Sequence, residues 1–518
     1  MPLSRGESLE RLATRTLDVT VIGGGVVGAR IAYESARLGL RTALIEGGDF
    51  GGGTSSASSK LVHGGFRYLP MGDIALVRQS QAERQILMER IAPNLVRPMP
   101  FLLPVYRGGS KGRALVGAGL LLYRALAGRG GHVEMLAAEA ARRLVPDLRS
   151  EGLRACGVFE EAETIDSRLV LSTVKAAARA GALVLNHAKV TDLELRHNRS
   201  GAVLVDAGAD GVVEVRSRHA INAAGAWVDH VRRLDEPGSA PLVRLSKGVH
   251  LLLLCPAGWS AGVALPLSGG RVALGIPWQG MLMLGTTDSL HSADPSDVRV
   301  TPADVQQVLD EASGFLPREM LRAGCIRHGM AGLRALPIAE GDTAAARRGH
   351  LIEVSRNGLV SVAGGKLTTH RRIAWDALRH LSEPRLGRGE PDSSRLPGTG
   401  WSLAVECRRD LAPDLADHLE RLYGDEAGRV LELAAEMPHG LERIHPAGPD
   451  VWAQVEYARQ AEWATTVDDV VRRRTTLAVR GLLTDEIARR IRGQDSATAS
   501  LIGASWPVSQ LRTSPALP

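Results

Sequence analysis

The feature that most constrains this chain is a glycine turn that joins a short β-rich run to a helical segment. Residues 18–22 form the run, and Gly23, Gly25 and Gly28 follow it with the spacing G-x-G-x-x-G. A helix is predicted over residues 26–38. In such a turn the glycines permit a tight bend, the approach of a pyrophosphate to the backbone, and close packing of helix on strand. The free N–H groups at the helix start also favour a phosphate, so this stretch predicts a dinucleotide site.

An acidic residue at the expected distance strengthens this prediction. A second strand is predicted at residues 42–45, and Glu46 closes it. Glu46 follows the last glycine at close to the ~20-residue spacing at which a carboxylate reaches the ribose hydroxyls. A bare glycine motif occurs by chance in many chains, but the strand, the helix, the second strand and the acid together favour a real site.

The loop that follows is rich in hydroxyl side chains and glycine. Residues 51–65 read GGGTSSASSKLVHGG, which an ordinary NAD-binding unit does not need. One interpretation is a flexible surface loop. The segment ends, however, in Lys60, His63, Arg67 and Tyr68, and this set of side chains favours contact with a ligand.

Composition limits the class of protein. A chain of 518 residues with 44% hydrophobic and 23% charged residues is expected to fold into two or three soluble domains with a large core. The cysteines Cys156, Cys255, Cys325 and Cys407 form no C-x-x-C pair, which argues against a disulfide framework, a zinc ribbon or an iron–sulfur module. Their spacing is typical of reduced, intracellular cysteines. We predict no metal site.

The charge of the chain is moderately basic. There are 63 Lys and Arg residues against 57 Asp and Glu, a net charge of +6 spread along the sequence. A solvated surface explains this distribution, and an anionic substrate or membrane face is the alternative. The amino-terminal residues lack an apolar segment, so no secretory signal is expected. No run of 18 apolar residues occurs, so we expect no membrane span.

One segment nevertheless invites a membrane interpretation. Residues 114–123 are almost entirely apolar, and Lys111, Arg113, Arg124 and Arg129 flank them. Such a helix can lie in a membrane interface with its basic residues at the head groups. A helix packed in the protein core is the equal alternative.

The glycine-rich loop carries the pattern of a known family. The pattern is Glu-x-x-Asp-Phe followed by T-S-S-x-S-S-K-L-x-H-G-G-x-R-Y-L, and this chain has all of it between Glu46 and Leu69. On these residues the chain resembles the flavin-dependent glycerol-3-phosphate dehydrogenases, in which this run wraps the FAD. Matching motifs continue in the same order to about Arg480, and they include the following residues: Asp166-x-Arg168, Gly225-x-Trp227, Lys247-Gly248-x-His250, Gly285 to Asp288, Gly332-x-Arg334, Arg348-x-His350 and Gly364 to Arg371.

Two positions depart from the family pattern. Ala335 stands where a proline is common, and His370 stands where the family usually has tyrosine. These departures leave open a shifted substrate preference, such as another small phosphorylated polyol.

The resemblance implies an α/β (α+β) two-domain flavoprotein. A Rossmann-like FAD domain is combined with a substrate domain built on a mixed, largely antiparallel sheet, and a small helical domain follows. Alternating apolar runs at residues 242–288 independently predict antiparallel strands. The expected boundaries are 1–16 for an arm, 17–80 with 150–235 and 355–384 for the FAD domain, 81–149 with 236–354 for the substrate cap, 385–400 for a linker, 401–495 for the helical domain and 496–518 for a disordered tail.

The resemblance also implies which residues contact FAD. They lie in the glycine turn, the hydroxyl-rich loop, the A-x-G-x-W motif and a second Gly-Gly turn. The candidates are Gly23, Gly25, Gly28, Glu46, Thr54, Ser55, Ser56, Ser59, Lys60, His63, Gly225, Gly364, Gly365, Lys366, Leu367 and Thr368.

The implied substrate is a dianion, which needs several converging cations. Arginine suits a phosphate because its planar fork donates two parallel hydrogen bonds. Carried over by motif, the substrate candidates are Arg67, Tyr68, Arg334, Arg348 and Lys366, with the strongest claim on phosphate for Arg334 and Arg348.

Oxidation of the C2 alcohol also needs a group that removes the hydroxyl proton. A histidine is the natural base. We favour His250 over His63, and Arg334 or Lys366 can instead lower the pKa of the alcohol electrostatically.

The implied activity is oxidation of sn-glycerol 3-phosphate to dihydroxyacetone phosphate, with hydride transfer from C2 to flavin N5 and electrons passed to membrane quinone. Such a protein would be cytoplasmic and peripheral on the inner face of the cytoplasmic membrane, and a homodimer is an open alternative to a monomer.

Other functions remain as alternative interpretations of the sequence. A glycerol-3-phosphate oxidase would use O₂ and form hydrogen peroxide, although the short span between Gly332 and Arg348 leaves no room for the insert of such oxidases. An anaerobic-type subunit would need a cysteine-containing module. A catalytically inert FAD-binding protein is a different class. Nucleic acid is not expected, because no basic stripe with interleaved aromatics occurs. The run 472–474, three arginines, is expected to form internal salt bridges.

Overall fold

A computed structural model describes most of the chain. The described residues are 3–66, 69, 72–108, 112–127, 132–196, 199–338, 349–384, 389–401, 403 and 408–493.

The described strands form two sheets. In chain order they are β1 (Leu17–Ile22), β2 (Thr42–Ile45), β3 (Leu61–Val62), β4 (Val96–Tyr106), β5 (Val133–Ala137), β6 (Leu153–Thr164), β7 (Leu183–Leu185), β8 (Lys189–Arg196), β9 (Arg199–Asp206), β10 (Val212–Asn222), β11 (Val243–Leu254), β12 (Gly262–Pro266), β13 (Val272–Trp278), β14 (Met281–Gly285), β15 (Ser289–His291), β16 (Ile326–Pro337), β17 (His350–Val354) and β18 (Val360–Gly364).

Helices cover these sheets and build the carboxy-terminal part of the chain. In chain order they are α1 (Arg5–Thr14), α2 (Val26–Arg37), α3 (Ile74–Ile86), α4 (Arg113–Ala127), α5 (Ala138–Leu144), α6 (Asp166–Arg179), α7 (Val228–Asp235), α8 (Pro302–Ala312), α9 (His370–Leu378), α10 (Pro413–Tyr423), α11 (Ala427–Glu436), α12 (Trp452–Glu462), α13 (Val467–Asp469) and α14 (Asp485–Arg492).

The first sheet has the strand order β17-β18-β10-β1-β2-β7, and the hairpin β8-β9 joins it through β10. The strand β1 pairs in parallel with both β10 and β2. All of its residues are buried, as expected for a parallel strand that is covered on both faces. The helix α2 packs against α6 and α9. The glycine turn therefore lies at the carboxyl end of the central strand, where α/β sheets bind their ligands.

The second sheet has the order β15-β11-β14-β13-β12-β4-β6-β3, with β16 beside β11 and β5 beside β6. Its pairs are antiparallel except for β12 with β4, which are parallel. Because side chains alternate along a strand, Val249, Leu251 and Leu253 pack with α8 on one face. The intervening residues of β11, including His250, face the other way. This face closes the candidate site.

The predicted fold class is confirmed, with two differences in strand membership. The strand β6 lies in the second sheet, although the predicted boundaries place its segment in the FAD domain. The strand β17 pairs with β18 in the first sheet, although the predicted boundaries place its segment in the cap. Both depend on pairing between distant segments, and the domain boundaries themselves stay predictions. The predicted tail at 496–518 lies outside the described residues.

Buried ion pairs connect the carboxy-terminal helices to the FAD domain. Arg168 donates both of its Nη groups to Glu462 at 2.7 Å, and Lys175 donates to the same carboxylate at 2.8 Å. Arg473 and Arg474 both pair with Asp49.

The first arginine of this run is paired as well. Arg472 contacts Asp468 at 2.5 Å. The expectation that residues 472–474 form internal salt bridges is therefore confirmed. Within the described part of the chain, no helix combines the length and the apolar character needed to cross a membrane.

Candidate active site

A cavity of about 1990 Å³ lies between the two sheets. The glycine turn after β1 and the ends of β2 and β10 form one part of its wall, and the inner face of the second sheet forms another. A ligand in this cavity would contact both sheets.

The geometry of the glycine turn agrees with the predicted roles of its glycines. Gly23 has φ +105°, and a Cβ there would lie 2.6 Å from the carbonyl oxygen of Ala223. A Cβ at Gly28 would lie 1.8 Å from the carbonyl oxygen of Gly23. At Gly25 the nearest atom to such a Cβ is Ser55 Oγ at 3.2 Å. The turn therefore packs against backbone atoms at Gly23 and Gly28, whereas at Gly25 its nearest neighbour is a hydroxyl group of the following loop.

Glu46 and Ser55 surround the start of α2. The Glu46 carboxylate accepts hydrogen bonds from the backbone N–H groups of Gly24, at 2.6 Å, and Gly48, at 2.7 Å. Burial raises the pKa of Glu46, and these two bonds oppose the rise. Ser55 Oγ accepts from the Val26 N–H at 3.0 Å. The hydroxyl-rich loop therefore lies directly over the phosphate-binding end of the helix.

The same loop reaches the second sheet. Thr54 Oγ1 donates to the carbonyl oxygen of Leu333 at 2.6 Å, so the loop bridges to β16. On the other side of the cavity, Gly364 and Gly365 have φ values of +75° and +103° and lead into the start of α9. The backbone N–H groups of this turn are a second set of candidate donors to a cofactor.

His250 lies where the loop meets β11. Its Nε2 is 2.9 Å from Ser59 Oγ, and only 2% of the residue is exposed. Its Nδ1 has no hydrogen-bond partner within the described ranges. Burial, helped by the positive charges of Arg334 and Lys60, lowers the pKa of His250 to about 3. The imidazole is therefore neutral at pH 7, and it becomes a stronger base when a negative charge is brought beside it.

Arg334 projects from β16 into the same region. Its Nη2 donates to Thr286 Oγ1 at 2.8 Å, and its Nη1 donates to the Thr287 carbonyl oxygen at 3.2 Å. The guanidinium lies across Gly248, where a Cβ would be 2.4 Å from Nη2. These hydrogen bonds fix the orientation of the guanidinium. About a third of the side chain is exposed, and it lines the cavity.

Among the further cations of the cavity wall, Arg271 and Arg244 had no signal in the sequence. Arg271 donates to the Thr286 carbonyl oxygen at 3.3 Å and to Glu311 at 2.8 Å. Arg244 is exposed and makes no ion pair with a described residue. Neither belongs to a motif, and only the strand register places them near Arg334.

The cavity brings most of the predicted site residues together, although their contacts with a ligand stay predictions. The predicted residues on its wall are Gly23, Gly25, Glu46, Thr54, Ser55, Ser59, His63, Gly225, His250, Arg334, Gly364, Gly365, Lys366, Leu367 and Thr368.

Three predicted cofactor residues are not on the wall. Gly28 packs beneath the turn, and Ser56 instead offers its carbonyl oxygen to Lys60 Nζ at 2.6 Å. Lys60 is 3% exposed, and its ammonium pairs with Asp166 at 2.7 Å, because a buried charge must be compensated. The Lys60 ammonium is therefore bonded within the protein, and the prediction that Lys60 contacts the cofactor stays a prediction.

Three predicted substrate residues lie outside the described residues: Arg67, Tyr68 and Arg348.

One group of side chains has the spacing of metal ligands. Asp49, His187 and Asp469 offer ligand atoms within 4.8 Å of one another in the described chain. Arg473 and Arg474 already pair with the Asp49 carboxylate. These positive charges occupy the place that a cation would take.

Comparisons with known proteins agree with the geometry. Residues 18–371 match the family described as FAD dependent oxidoreductase, and residues 391–492 match the C-terminal domain of alpha-glycerophosphate oxidase. The glycerol-3-phosphate dehydrogenase of Mycobacterium leprae (strain TN) is 34% identical and is aligned over 92% of this chain and 84% of its own.

Solved structures agree as well. The structure of the glycerol-3-phosphate dehydrogenase from Bacillus halodurans, complexed with FAD, is similar with a TM-score of 0.74 and 28% identity, over 95% of this chain and 96% of the other. The FAD-bound L-alpha-glycerophosphate oxidase of Mycoplasma pneumoniae shares the fold with a TM-score of 0.59 at 18% identity, over 74% of this chain and 100% of the other. The cavity, its glycine turn and these relatives together place the chain in the family of FAD-dependent glycerol-3-phosphate dehydrogenases, with FAD as its cofactor.

Proposed function

We propose that this protein oxidises sn-glycerol 3-phosphate to dihydroxyacetone phosphate. The observation that carries the proposal is that Arg334 and the neutral His250, on the neighbouring strands β16 and β11, face the same cavity as the glycine turn. FAD, when bound, supplies the acceptor for the hydride of C2. The protein residues bind the phosphate and remove the hydroxyl proton.

Phosphate binding depends on converging positive charge. Arg334 offers a fork that is already oriented, which suits a phosphate dianion. Lys366, Arg271 and Arg244 lie on the same cavity wall and add positive potential. Glycerol lacks the charge that these residues recognise, so we expect the enzyme to oxidise glycerol 3-phosphate and not glycerol.

Proton removal is assigned to His250. Its low pKa keeps the free imidazole neutral, and its hydrogen bond to Ser59 fixes the ring. An anionic substrate beside it would raise that pKa and strengthen it as a base. The positive charge of Arg334 also stabilises the developing alkoxide.

The test of this proposal is steady-state kinetics with ferricyanide as the electron acceptor. Glycerol 3-phosphate should be oxidised to dihydroxyacetone phosphate, and glycerol should not. Arg334→Gln should raise KM for the phosphate ester by about 10- to 100-fold, since a hydrogen bond to a charged group contributes about 1.5–3 kcal/mol. Equal turnover of glycerol and its phosphate would overturn the proposal.

We infer that the electrons pass to a quinone at the inner face of the cytoplasmic membrane. The support is the helix α4, whose outer surface is apolar. Leu115 is 61% exposed, Leu121 is 64% exposed and Leu122 is 46% exposed. Exposed Arg113 and Arg124 border this surface. A partly apolar helix edged by arginines is suited to an anionic lipid interface.

A vesicle sedimentation assay tests the membrane contact. Leu121→Glu should reduce co-sedimentation with vesicles of phosphatidylglycerol, because it places a negative charge on the apolar face. The matched control is Val212→Glu, a residue 66% exposed on the hairpin of β9 and β10 in the other sheet. If both variants bind the vesicles equally well, α4 is not the helix that contacts the membrane.

A second assay separates the quinone from oxygen. Enzyme reduced by its substrate should transfer electrons to decylubiquinone and should form little hydrogen peroxide in air-saturated buffer. Stoichiometric peroxide would instead support the oxidase alternative. Sedimentation velocity measures whether the protein is a homodimer, which stays a prediction.

A further inference from the structure

The carboxy-terminal helices reach the cavity at the end where the adenosine part of FAD is expected. The glycine turn is suited to the pyrophosphate and Glu46 to the ribose, so the adenosine is expected beyond Glu46. There the cavity wall consists of residues 47–49 and 187–191 together with a distant part of the chain, namely Thr466, Asp468, Asp469 and Arg473. These four belong to residues 462–474, which we call the docking segment.

The loop that follows β2 supports the glycine turn. The Gly51 N–H donates to the carbonyl oxygen of Gly24 at 3.0 Å, and the Glu46 carboxylate accepts from the Gly24 N–H at 2.6 Å. Phe50 is fully buried, and a Cβ at Gly24 would lie 2.6 Å from its ring. The other neighbour of this ring is Trp463 of the docking segment, which packs edge-on with 5.7 Å between the ring centroids. Residues 46–51 therefore lie between the glycine turn and the docking segment.

The docking segment holds this loop through Asp49. The Asp49 carboxylate pairs with Arg473 and accepts from both Nη groups of Arg474, from Nη2 at 2.8 Å. Asp49 is 3% exposed and Arg474 is 1% exposed, so solvent hardly screens their charges. Arg474 Nη2 also donates to the carbonyl oxygen of Glu462 at 2.7 Å, which joins the two ends of the docking segment. A forked contact of this kind fixes the position of the loop as well as balancing its charge.

A second set of contacts passes through the turn after β7. Asn186 Nδ2 donates to Asp49 Oδ1 at 3.2 Å and to the carbonyl oxygen of Trp463 at 2.8 Å. His187 Nε2 is 2.9 Å from Asp469 Oδ2. Because Asp49 and His187 also line the cavity, the docking segment is bonded to the residues that a bound adenosine would contact.

We propose that the docking segment is part of the FAD site, so that docking of the carboxy-terminal helices and binding of FAD stabilise each other. The physical reason is that both events require the same arrangement of residues 46–51. FAD needs this loop against the glycine turn, and the docking segment needs Asp49 and Phe50 in their buried positions. The factor by which docking raises the affinity for FAD must equal the factor by which bound FAD favours docking. This coupling depends on neither the substrate nor the electron acceptor.

The first test alters the docking segment without altering the cavity wall. Arg474 is not among the described residues of that wall, and Arg474→Lys keeps the positive charge beside Asp49 while it removes the planar fork. The matched control is Arg443→Lys, because Arg443 Nη2 donates to both carboxylate oxygens of Asp414 elsewhere among these helices, at 2.9 and 2.8 Å. Equilibrium dialysis of each holoenzyme against known concentrations of FAD gives the Kd.

Arg474→Lys should raise the Kd for FAD at least about fivefold, which is the lower end of the usual coupling between two sites. Arg443→Lys should stay within about twofold of wild type, since exposed ion pairs contribute little. Partial unfolding weakens apparent binding only in proportion to the folded fraction, which circular dichroism measures on the same samples. An equal Kd for Arg474→Lys and the control would overturn the proposal.

The second test needs no substitution. Hydrogen exchange of the wild-type protein is measured by mass spectrometry with FAD bound and after FAD has been removed by dialysis. The helix α8 packs on the face of the second sheet that points away from the cavity, so its exchange reports the global stabilisation by FAD. FAD should slow exchange in residues 463–474 at least about fivefold more than in α8. Equal slowing of both regions, or slowing of neither, would overturn the coupling.

Discussion

Replacing His250 by glutamine tests the role of the histidine through the pH dependence of the reaction. His250 is almost fully buried, and Arg334 and Lys60 oppose any positive charge on its ring. With its pKa lowered to about 3, the imidazole of the free enzyme is neutral over the whole usual range of assays. We expect loss of the base to reduce kcat/KM by about 10²–10⁴-fold at pH 7.

The magnitude of the pH effect follows from the fraction of neutral histidine. A histidine with the ordinary pKa of about 6.5 would be only about one-tenth neutral at pH 5.5. The ratio of kcat/KM between wild type and His250→Gln would then fall about tenfold from pH 8 to pH 5.5. With the pKa that the structure indicates, this ratio is the same at both pH values.

The assay is initial-rate kinetics with saturating ferricyanide between pH 5.5 and 8.5. Taking the ratio of the two enzymes cancels the ionisation of the substrate phosphate, whose pKa near 6 would otherwise dominate the profile. A ratio that falls tenfold per pH unit below pH 6.5 would show that the histidine titrates normally. Activity of His250→Gln within threefold of wild type would show that it is not the base.

Two further predictions concern the framework of the site. Gly28→Ala should prevent stable FAD binding, because the new methyl carbon would lie 1.8 Å from the carbonyl oxygen of Gly23. The measurement is the flavin content after purification, and a content equal to that of the wild type would refute this packing. Glu462→Gln leaves the buried Arg168 charge uncompensated and should lower the free energy of unfolding by about 3–5 kcal/mol in urea at pH 7, whereas Glu456→Gln on the same helix should have little effect. The ion pair lowers the pKa of Glu462 from 4.5 to about 2, so the stabilisation by this carboxylate is present above pH 4.5 and is lost as the pH falls towards 2. If the free energies of unfolding of the two variants differ by the same amount at pH 7 and at pH 3, the ion pair is contradicted.

The parts of the site that could be predicted from sequence are those specified by short-range geometry. Gly23, Gly25 and Gly28 act within one turn. Their positions follow from local backbone requirements. The motif did not reveal, however, that Lys60 turns its side chain to Asp166 instead of to the cavity.

The parts that could not be predicted depend on pairing between distant segments. Arg271 and Arg244 reach the cavity through the register of the second sheet, and Glu161 does so because β6 joins that sheet. No periodicity within a single strand indicates which strand will lie beside it. The neutral state of His250 likewise depends on burial by several segments together.

The central claim is that bound FAD is reduced by glycerol 3-phosphate in this cavity, and an anaerobic absorbance titration tests it most directly. The purified protein should show flavin bands that bleach on addition of glycerol 3-phosphate and do not change with glycerol. Bound flavin that glycerol 3-phosphate leaves oxidised would contradict the proposed substrate.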